Sequence, residues 1–366
     1  MKSNPKQIIN VGIGRENDFP LGWLIIGILA FVAFFSSIAN GQTAVRRIES
    51  VGFTVSDMDR AIDFYTRVLP FVKVSEREVW GADFERLSGV FGARARVVRL
   101  RLGNETLELT EYLASNGRPV PVDSRSNDRW FQHIAIIVSD MDKAFEILQK
   151  NKVRFASTAP QTLPVTIPAA AGIRAFYFKD FDNHVLEILQ FPAGKGAAKW
   201  HDSAKTGRLF LGIDHTAIVV GDTDASLKFY RDILGLSVAG ESMNFGTEQE
   251  HLNNVFGARL HITGLRSKED GIAVEFLEYL APRDGKPFPR DTRSSDLWHW
   301  QTSFTAQKPE NLSALLRANR FDFISGGIVS VAPAAFGFEK AFLVRDADGH
   351  AVRIVDKFDT GIETGD

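Results

Sequence analysis

The chain has 366 residues, enough for two ordinary domains, with 44% hydrophobic and 24% charged residues. A formal net charge of −2 supplies no attraction for nucleic acid or an acidic membrane surface. The absence of Cys excludes disulfides, thiolate nucleophiles and thiolate metal sites.

Residues 1–44 come first in chain order. The run Leu21–Ala39 carries no charge and is about long enough to span a bilayer as a helix. Lys2, Lys6 and Arg15 precede it. Ser37-Ile-Ala39 and Ala39-Asn-Gly41 offer the small residues of a signal-peptidase site. The segment is expected to be a hydrophobic helix serving as signal peptide or membrane anchor. The remainder would then be exported, secreted or held by residues 21–39. A buried globular helix is the weaker alternative.

The next stretch alternates. Val51, Phe53 and Val55 interleave with Gly52 and Thr54, the period of a half-buried strand. Asp57 can cap a helix over Met58–Leu69, whose apolar residues Ala61, Ile62, Tyr65 and Leu69 share a face. A short strand near Phe71–Val74 follows. Arg94–Leu102 and Thr106–Leu113 read as strands joined at Gly103-Asn104. The order is βαβββ.

Three more such modules follow. Module two opens on Phe131–Val138, has a helix over Met141–Lys150, and closes near Ala175–Lys179 and His184–Gln190. Module three opens on Gly212–Val219 and closes near Arg259–Arg266 and Ile272–Leu280. Module four opens on His299–Phe304 and closes near Ala341–Arg345 and His350–Asp356. Repeats mark the same plan. Val90-Phe-Gly-Ala-Arg94 returns at 255–259, Asp123-Ser-Arg-Ser-Asn-Asp128 returns as Asp291-Thr-Arg-Ser-Ser-Asp296, and Val55-Ser-Asp-Met-Asp59 returns at 138–142. Modules of about eighty residues are thus nested in two longer repeats. The expected division is a first domain over 45–193, a linker over 194–207, a second domain over 208–358 and a tail over 359–366. Each domain is expected to pair its two modules around a cleft.

Gly52-Phe-Thr-Val-Ser-Asp-Met-Asp with Phe64-Tyr65 resembles the opening of a glyoxalase, bleomycin-resistance or extradiol-dioxygenase module. So does His215-Thr-Ala-Ile-Val-Val220 with Phe229-Tyr230. Tyr177-Phe-Lys-Asp-Phe-Asp-Asn-His-Val-Leu-Glu187 resembles its closing hairpin. The chain is similar to the vicinal-oxygen-chelate superfamily from about residue 46 to 358. The resemblance implies an α+β fold of two tandem glyoxalase-like domains, each built of two βαβββ modules with a curved sheet around a cleft.

It also implies four metal-ligand positions per domain, on the first and last strands of each module. In the first domain these hold Ser50, Glu108, His133 and Glu187. In the second they hold His215, Glu275, Gln301 and Arg353. Glu108, His133 and Glu187 would leave an open position for a catalytic divalent metal, Zn, Ni, Mn or Fe. Glu187 and Glu108 would then be the acid–base pair of a lyase or isomerase of glyoxalase I (lactoylglutathione lyase) type, acting on a small oxygenated substrate. His215, Glu275 and Gln301 would form a weaker second set, with Arg353 placing a cation where a ligand belongs. The second domain is therefore expected to be degenerate, or to use Arg353 to read an anionic ligand. Alternatives are a metal-free sequestering protein of bleomycin-resistance type and, third, an extradiol dioxygenase, which needs two His where the first domain has one in register. Partners are a small molecule, no nucleic acid, and a membrane only through the N-terminal segment. Duplication lets a monomer suffice. Arg125 and Arg293 are expected to tie modules together, His184 and His350 to lie at the surface, and His299 to join Trp298 and Trp300 in an aromatic cluster.

Overall fold

A computed structural model describes residues 45–356. The run Leu21–Ala39 and the tail 359–366 lie outside them. No helix among the described residues is long and apolar enough to cross a membrane.

Each module delivers the expected strands. Module one supplies β1 (Val45–Thr54), β2 (Val72–Trp80), β3 (Arg94–Leu102) and β4 (Glu105–Tyr112). Module two supplies β5 (Gln132–Val138), the short β6 (Arg154–Phe155) and β7 (Gln161–Thr162), then β8 (Arg174–Lys179) and β9 (Val185–Gln190). Module three supplies β10 (Phe210–Val220), β11 (Ser237–Phe245), β12 (Arg259–Arg266) and β13 (Ala273–Ala281). Module four supplies β14 (Trp300–Ala306), β15 (Val329–Ser330), β16 (Lys340–Arg345) and β17 (Ala351–Val355).

The helix after each opening strand starts for a local reason. Asp57, Asp140 and Asp222 stand in extended backbone, and each side chain accepts from the backbone N–H three residues on. In module four Pro309 opens the helix instead, its missing N–H costing nothing in the first turn. The helix of module one widens into a π-helical turn over Phe64–Val68, and that of module three does the same over Lys228–Ile233. These helices bury Met58, Tyr65, Phe229 and Leu312 against the sheets, in one core that includes Phe53, Phe176, Phe276 and Phe342.

The modules do not pair as sequence neighbours. One sheet runs β15-β16-β17-β14-β1-β4-β3-β2 and the other β11-β12-β13-β10-β5-β9-β8-β6. Module one therefore shares a sheet with module four, and module two with module three. At the two centres β1 runs antiparallel to β14, and β5 to β10. This corrects the expectation that 45–193 and 208–358 each close a cleft of their own.

The reason lies in the connections. Residues 113–131 and 282–299 each cross from one sheet to the other, and they interlock. Arg118 donates to Asp296 and Asp291, Arg125 and Asn127 donate to Asp284, and Lys286 pairs with Asp123. The backbone N–H of Arg129 reaches Lys286 O and that of Leu297 reaches Arg118 O. Asp128 and Asp296, one from each repeat of the Asp-Ser/Thr-Arg-Ser motif, are buried and accept backbone N–H groups from the opposite crossover. Arg125 is thus a tie between modules.

Two glycines permit the close approach. A Cβ on Gly117 would lie 1.6 Å from Ser295 O, and one on Gly285 would lie 1.8 Å from Asn127 O. Backbone on both sides cannot yield. Gly117→Ala and Gly285→Ala should each lower the unfolding free energy by about 1–3 kcal/mol, measured by urea denaturation. An unchanged midpoint would mean that the crossovers do not touch as described.

Candidate metal centre

Two cross-sheet rows build the first cleft. In one, Ala217 on β10 is paired with His133 on β5 and with Glu275 on β13. In the other, Ala135 on β5 is paired with His215 on β10 and with Glu187 on β9. Strand alternation sends all four functional side chains to the concave face, and alanine at the centre of each row leaves them room. The arrangement is two-fold: one Glu and one His come from each module.

The distances are those of converging groups. His133 Nε2 lies 3.2 Å from Glu187 Oε2, and His215 Nε2 lies 3.7 Å from Glu187 Oε2 and 3.7 Å from Glu275 Oε1. His133, Glu187 and His215 form a buried group able to present one ligand atom each to a single ion. His133 Nε2 and His215 Nε2 are buried and make no aligned hydrogen bond. Buried polar atoms are rarely left so, and a divalent cation would satisfy both. The residues fit a metal: two imidazoles with the Glu187 carboxylate suit Zn²⁺, Ni²⁺, Mn²⁺ or Fe²⁺, and Glu275 lies beside them, 3.7 Å from His215.

His215 is oriented from behind. Its Nδ1 lies 3.0 Å from Asp214 Oδ2, and Asp214 is anchored by Trp200 Nε1 at 2.8 Å and Arg266 Nη2 at 3.2 Å. That fixes which imidazole nitrogen faces the cleft, as carboxylate partners of metal-bound His do. Burial opposes charge on His215, but Glu275 and Asp214 outweigh it and hold its pKa up at about 9. Burial pushes the Glu275 carboxyl up, against the pull of His215. Glu187, His215 and Glu275 line a cavity of about 540 Å³, with Tyr177 and Leu189 on one side and Asn244, Gln249 and Ile262 on the other.

The same frame recurs in the other sheet with different residues. Gly52 on β1 is paired with Gln301 and Glu108, and Ser303 on β14 with Ser50 and Arg353. Glu108 therefore sits in the second cleft, apart from His133 and Glu187, and the expected set of Glu108, His133 and Glu187 is not brought together. Nor are His215, Glu275 and Gln301, because Gln301 also lies in the second cleft. Glu108 instead accepts from Arg353 Nη1 at 2.8 Å and Arg99 Nε at 2.9 Å. The dioxygenase objection, that one His stands in register, also falls, since two meet here.

Other expectations shift. His184 and His350 are buried, not at the surface. His184 Nδ1 lies 2.8 Å from Asp180, which also accepts from Tyr65 OH at 3.1 Å. His350, Asp346 and Tyr230 repeat this in the second half. The signal was available: Asp180 and His184 have the same spacing as Asp346 and His350. His299 lines the second cleft with Glu108 rather than forming a cluster with Trp298.

The comparisons agree with this architecture. The family model of the Glyoxalase/Bleomycin resistance protein/Dioxygenase superfamily matches residues 47–188 and 212–354. The chain belongs to that superfamily. A 2-epi-5-epi-valiolone epimerase of Actinomyces sp is 34% identical over 152 residues, covering 40% of this chain and 80% of that protein. A lactoylglutathione lyase of Arabidopsis thaliana is 27% identical over 191 residues, 52% of this chain and 55% of that protein, so the match spans about half of that enzyme. Among solved structures, glyoxalase I from Zea mays aligns with TM-score 0.54 and 16% identity over 85% of this chain and 92% of its own. A Bacillus subtilis protein described as a dioxygenase aligns with TM-score 0.53 and 14% identity over 86% of each chain. These structures share the fold of two glyoxalase-like domains with curved sheets.

Glu108 yields a pH test. Burial raises its pKa, but Arg353 and then Arg99 overcome this and bring it from 4.5 to about 2. A depressed carboxyl contributes stability that is present above its unfolded pKa and lost as pH falls through the folded one. The stability difference between wild type and Glu108→Gln should therefore shrink by roughly 3 kcal/mol from pH 4.5 to 2. A difference independent of pH over that window would mean that Glu108 is not held ionised by Arg353.

Proposed function

We propose that the chain is a metal-dependent isomerase or epimerase, of the broad type that includes glyoxalase I, which relocates a proton on a carbon next to an oxygenated carbon of a small substrate. The observation that carries this is that Glu187 and Glu275, one from each module, line a single cavity with His215, and His133 contacts Glu187. When bound by His133, His215, Glu187 and Glu275, a divalent metal supplies Lewis acidity to a substrate oxygen.

The residues then divide the work. Glu187 and Glu275 face the substrate from opposite strands, so one can take a proton from one face and the other return it on the opposite face. Asp214 keeps His215 aimed at the cleft. Tyr177, buried beside His133, and Leu189 help to exclude water. One relative is by name an epimerase, and inversion of a stereocentre is what two opposed carboxylates suit. The other is by name a lactoylglutathione lyase. Glu275 thus takes the place that Glu108 held as partner of Glu187.

A second reading rests on one observation: His133, His215 and Glu187 alone make a two-His, one-carboxylate group, the set used by non-haem iron oxygenases. Glu275, 3.7 Å from His215, favours the first reading by offering a fourth ligand. The two separate on metal and gas dependence. The isomerase should turn over with Zn²⁺, Ni²⁺ or Mn²⁺ under argon. Activity that needs Fe²⁺ and O₂ would establish the oxygenase instead.

Glu187→Gln and Glu275→Gln keep size and one oxygen ligand but remove the base. Each should lower kcat by roughly 10²–10⁴-fold on a 2-hydroxy ketone or 2-oxo-thiohemiacetal substrate. Loss of α-deuterium to solvent gives an independent readout. Full exchange in both variants would place the proton-transfer groups elsewhere.

A further inference from the structure

The second cleft has lost the metal-ligand set but kept a cavity, of about 50 Å³, roughly the space of four water molecules by the same measure. Its polar floor is unbalanced. Arg77 and Arg353 line it with a single carboxylate, Glu108, and Arg99 stands behind Glu108. Burial, then Arg99 and Arg353, lower the Arg77 pKa against the pull of Glu108.

Arg353 is the decisive group. It is 7% exposed, its Nη1 engages Glu108, and its Nε donates to Ser303 Oγ at 2.9 Å. Its Nη2 is buried with no hydrogen-bond partner. The Nε2 of His299, 3% exposed and in the same lining, is also unpartnered, and so is Ser50 Oγ on the row shared with Arg353. Two of these atoms, Arg353 Nη2 and His299 Nε2, belong to residues lining the cavity and are left for something else. The lining also includes the apolar Val79, Phe84, Leu87 and Phe338, with the Arg353 guanidinium 5.5 Å over the Phe338 ring.

We infer that this second cleft is a binding site for a short-chain monocarboxylate, its carboxylate on Arg353 Nη2 and His299 and its alkyl end against Phe84 and Phe338. A guanidinium edge matches a carboxylate. The apolar wall favours a carboxylate with a short tail over phosphate, and the volume excludes a sugar. The inference does not depend on the metal reading, because no residue is shared between the clefts.

The test uses the purified chain, stripped of metal so that carboxylates cannot bind an ion in the first cleft. Acetate, butyrate, octanoate, n-butanol and inorganic phosphate are titrated by calorimetry and by ¹⁹F or ¹³C NMR of labelled protein. Saturable butyrate binding is expected, with octanoate, n-butanol and phosphate at least tenfold weaker. It should persist in His215→Ala and weaken at least tenfold in Arg353→Gln. Should Arg353→Gln fail to fold, Glu108→Gln supplies the check: removing the competing carboxylate should tighten butyrate several-fold. Absence of saturable butyrate binding, phosphate binding tighter than butyrate, loss in His215→Ala, or no tightening in Glu108→Gln would each overturn the assignment.

Discussion

Antiparallel pairing of β5 with β10 sets His133 opposite Ala217 and Ala135 opposite His215, and everything chemical in the first cleft follows from that register. A slip of one residue would turn both imidazoles into the hydrophobic core. The flanking parallel pairs then fix the carboxylates, Glu187 across from Ala135 and Glu275 across from Ala217. The register is held from outside the sheet by the interlocked crossovers. Gly117 and Gly285 let their backbones touch, and buried Asp128 and Asp296 accept hydrogen bonds from the opposite strand of the interlock. Fold, site and pseudo-symmetry are therefore one constraint.

The same geometry supports two different electrostatic outcomes. In the first cleft two carboxylates and two imidazoles face inward, an arrangement that is stable when a cation sits among them. In the second, Arg353 occupies a ligand position and neutralises Glu108 directly. A buried guanidinium–carboxylate contact is costly to break because either partner alone would be an uncompensated charge. A metal ion placed there would face repulsion from Arg353 and Arg99 at short range. One half of the duplicated sheet thus gathers two imidazoles with two carboxylates, and the other pairs its carboxylate with guanidiniums.

Much of this was legible in the sequence, because it is local. Period-two alternation located the opening strands, Asp57 marked the first helix start, and Gly103-Asn104 marked the β3–β4 turn. The order of modules and the family were legible from repeats and from Phe53–Tyr65 and His215–Tyr230. The eight inward-facing positions followed from the family resemblance, carried over by matching local segments. Their grouping did not. Sequence proximity favoured joining modules one and two, whereas the crossovers join one with four and two with three, and nothing local in residues 113–131 announces which sheet they lead to. Hence Glu108 and Glu275 exchange places between expectation and structure. The buried Tyr65–Asp180–His184 chain was missed because His184 lies beside a turn, where burial depends on Leu297 O from a distant module.

The central claim is that modules two and three complete one metal centre. Crystals of the full chain grown with Zn²⁺ or Ni²⁺ and measured across the metal's absorption edge test it most directly. The account predicts one anomalous peak per chain, within bonding distance of His133, His215, Glu187 and Glu275, and none near Glu108 or Arg353. A peak in the second cleft, or a first cleft with no ion at saturating metal, would contradict it.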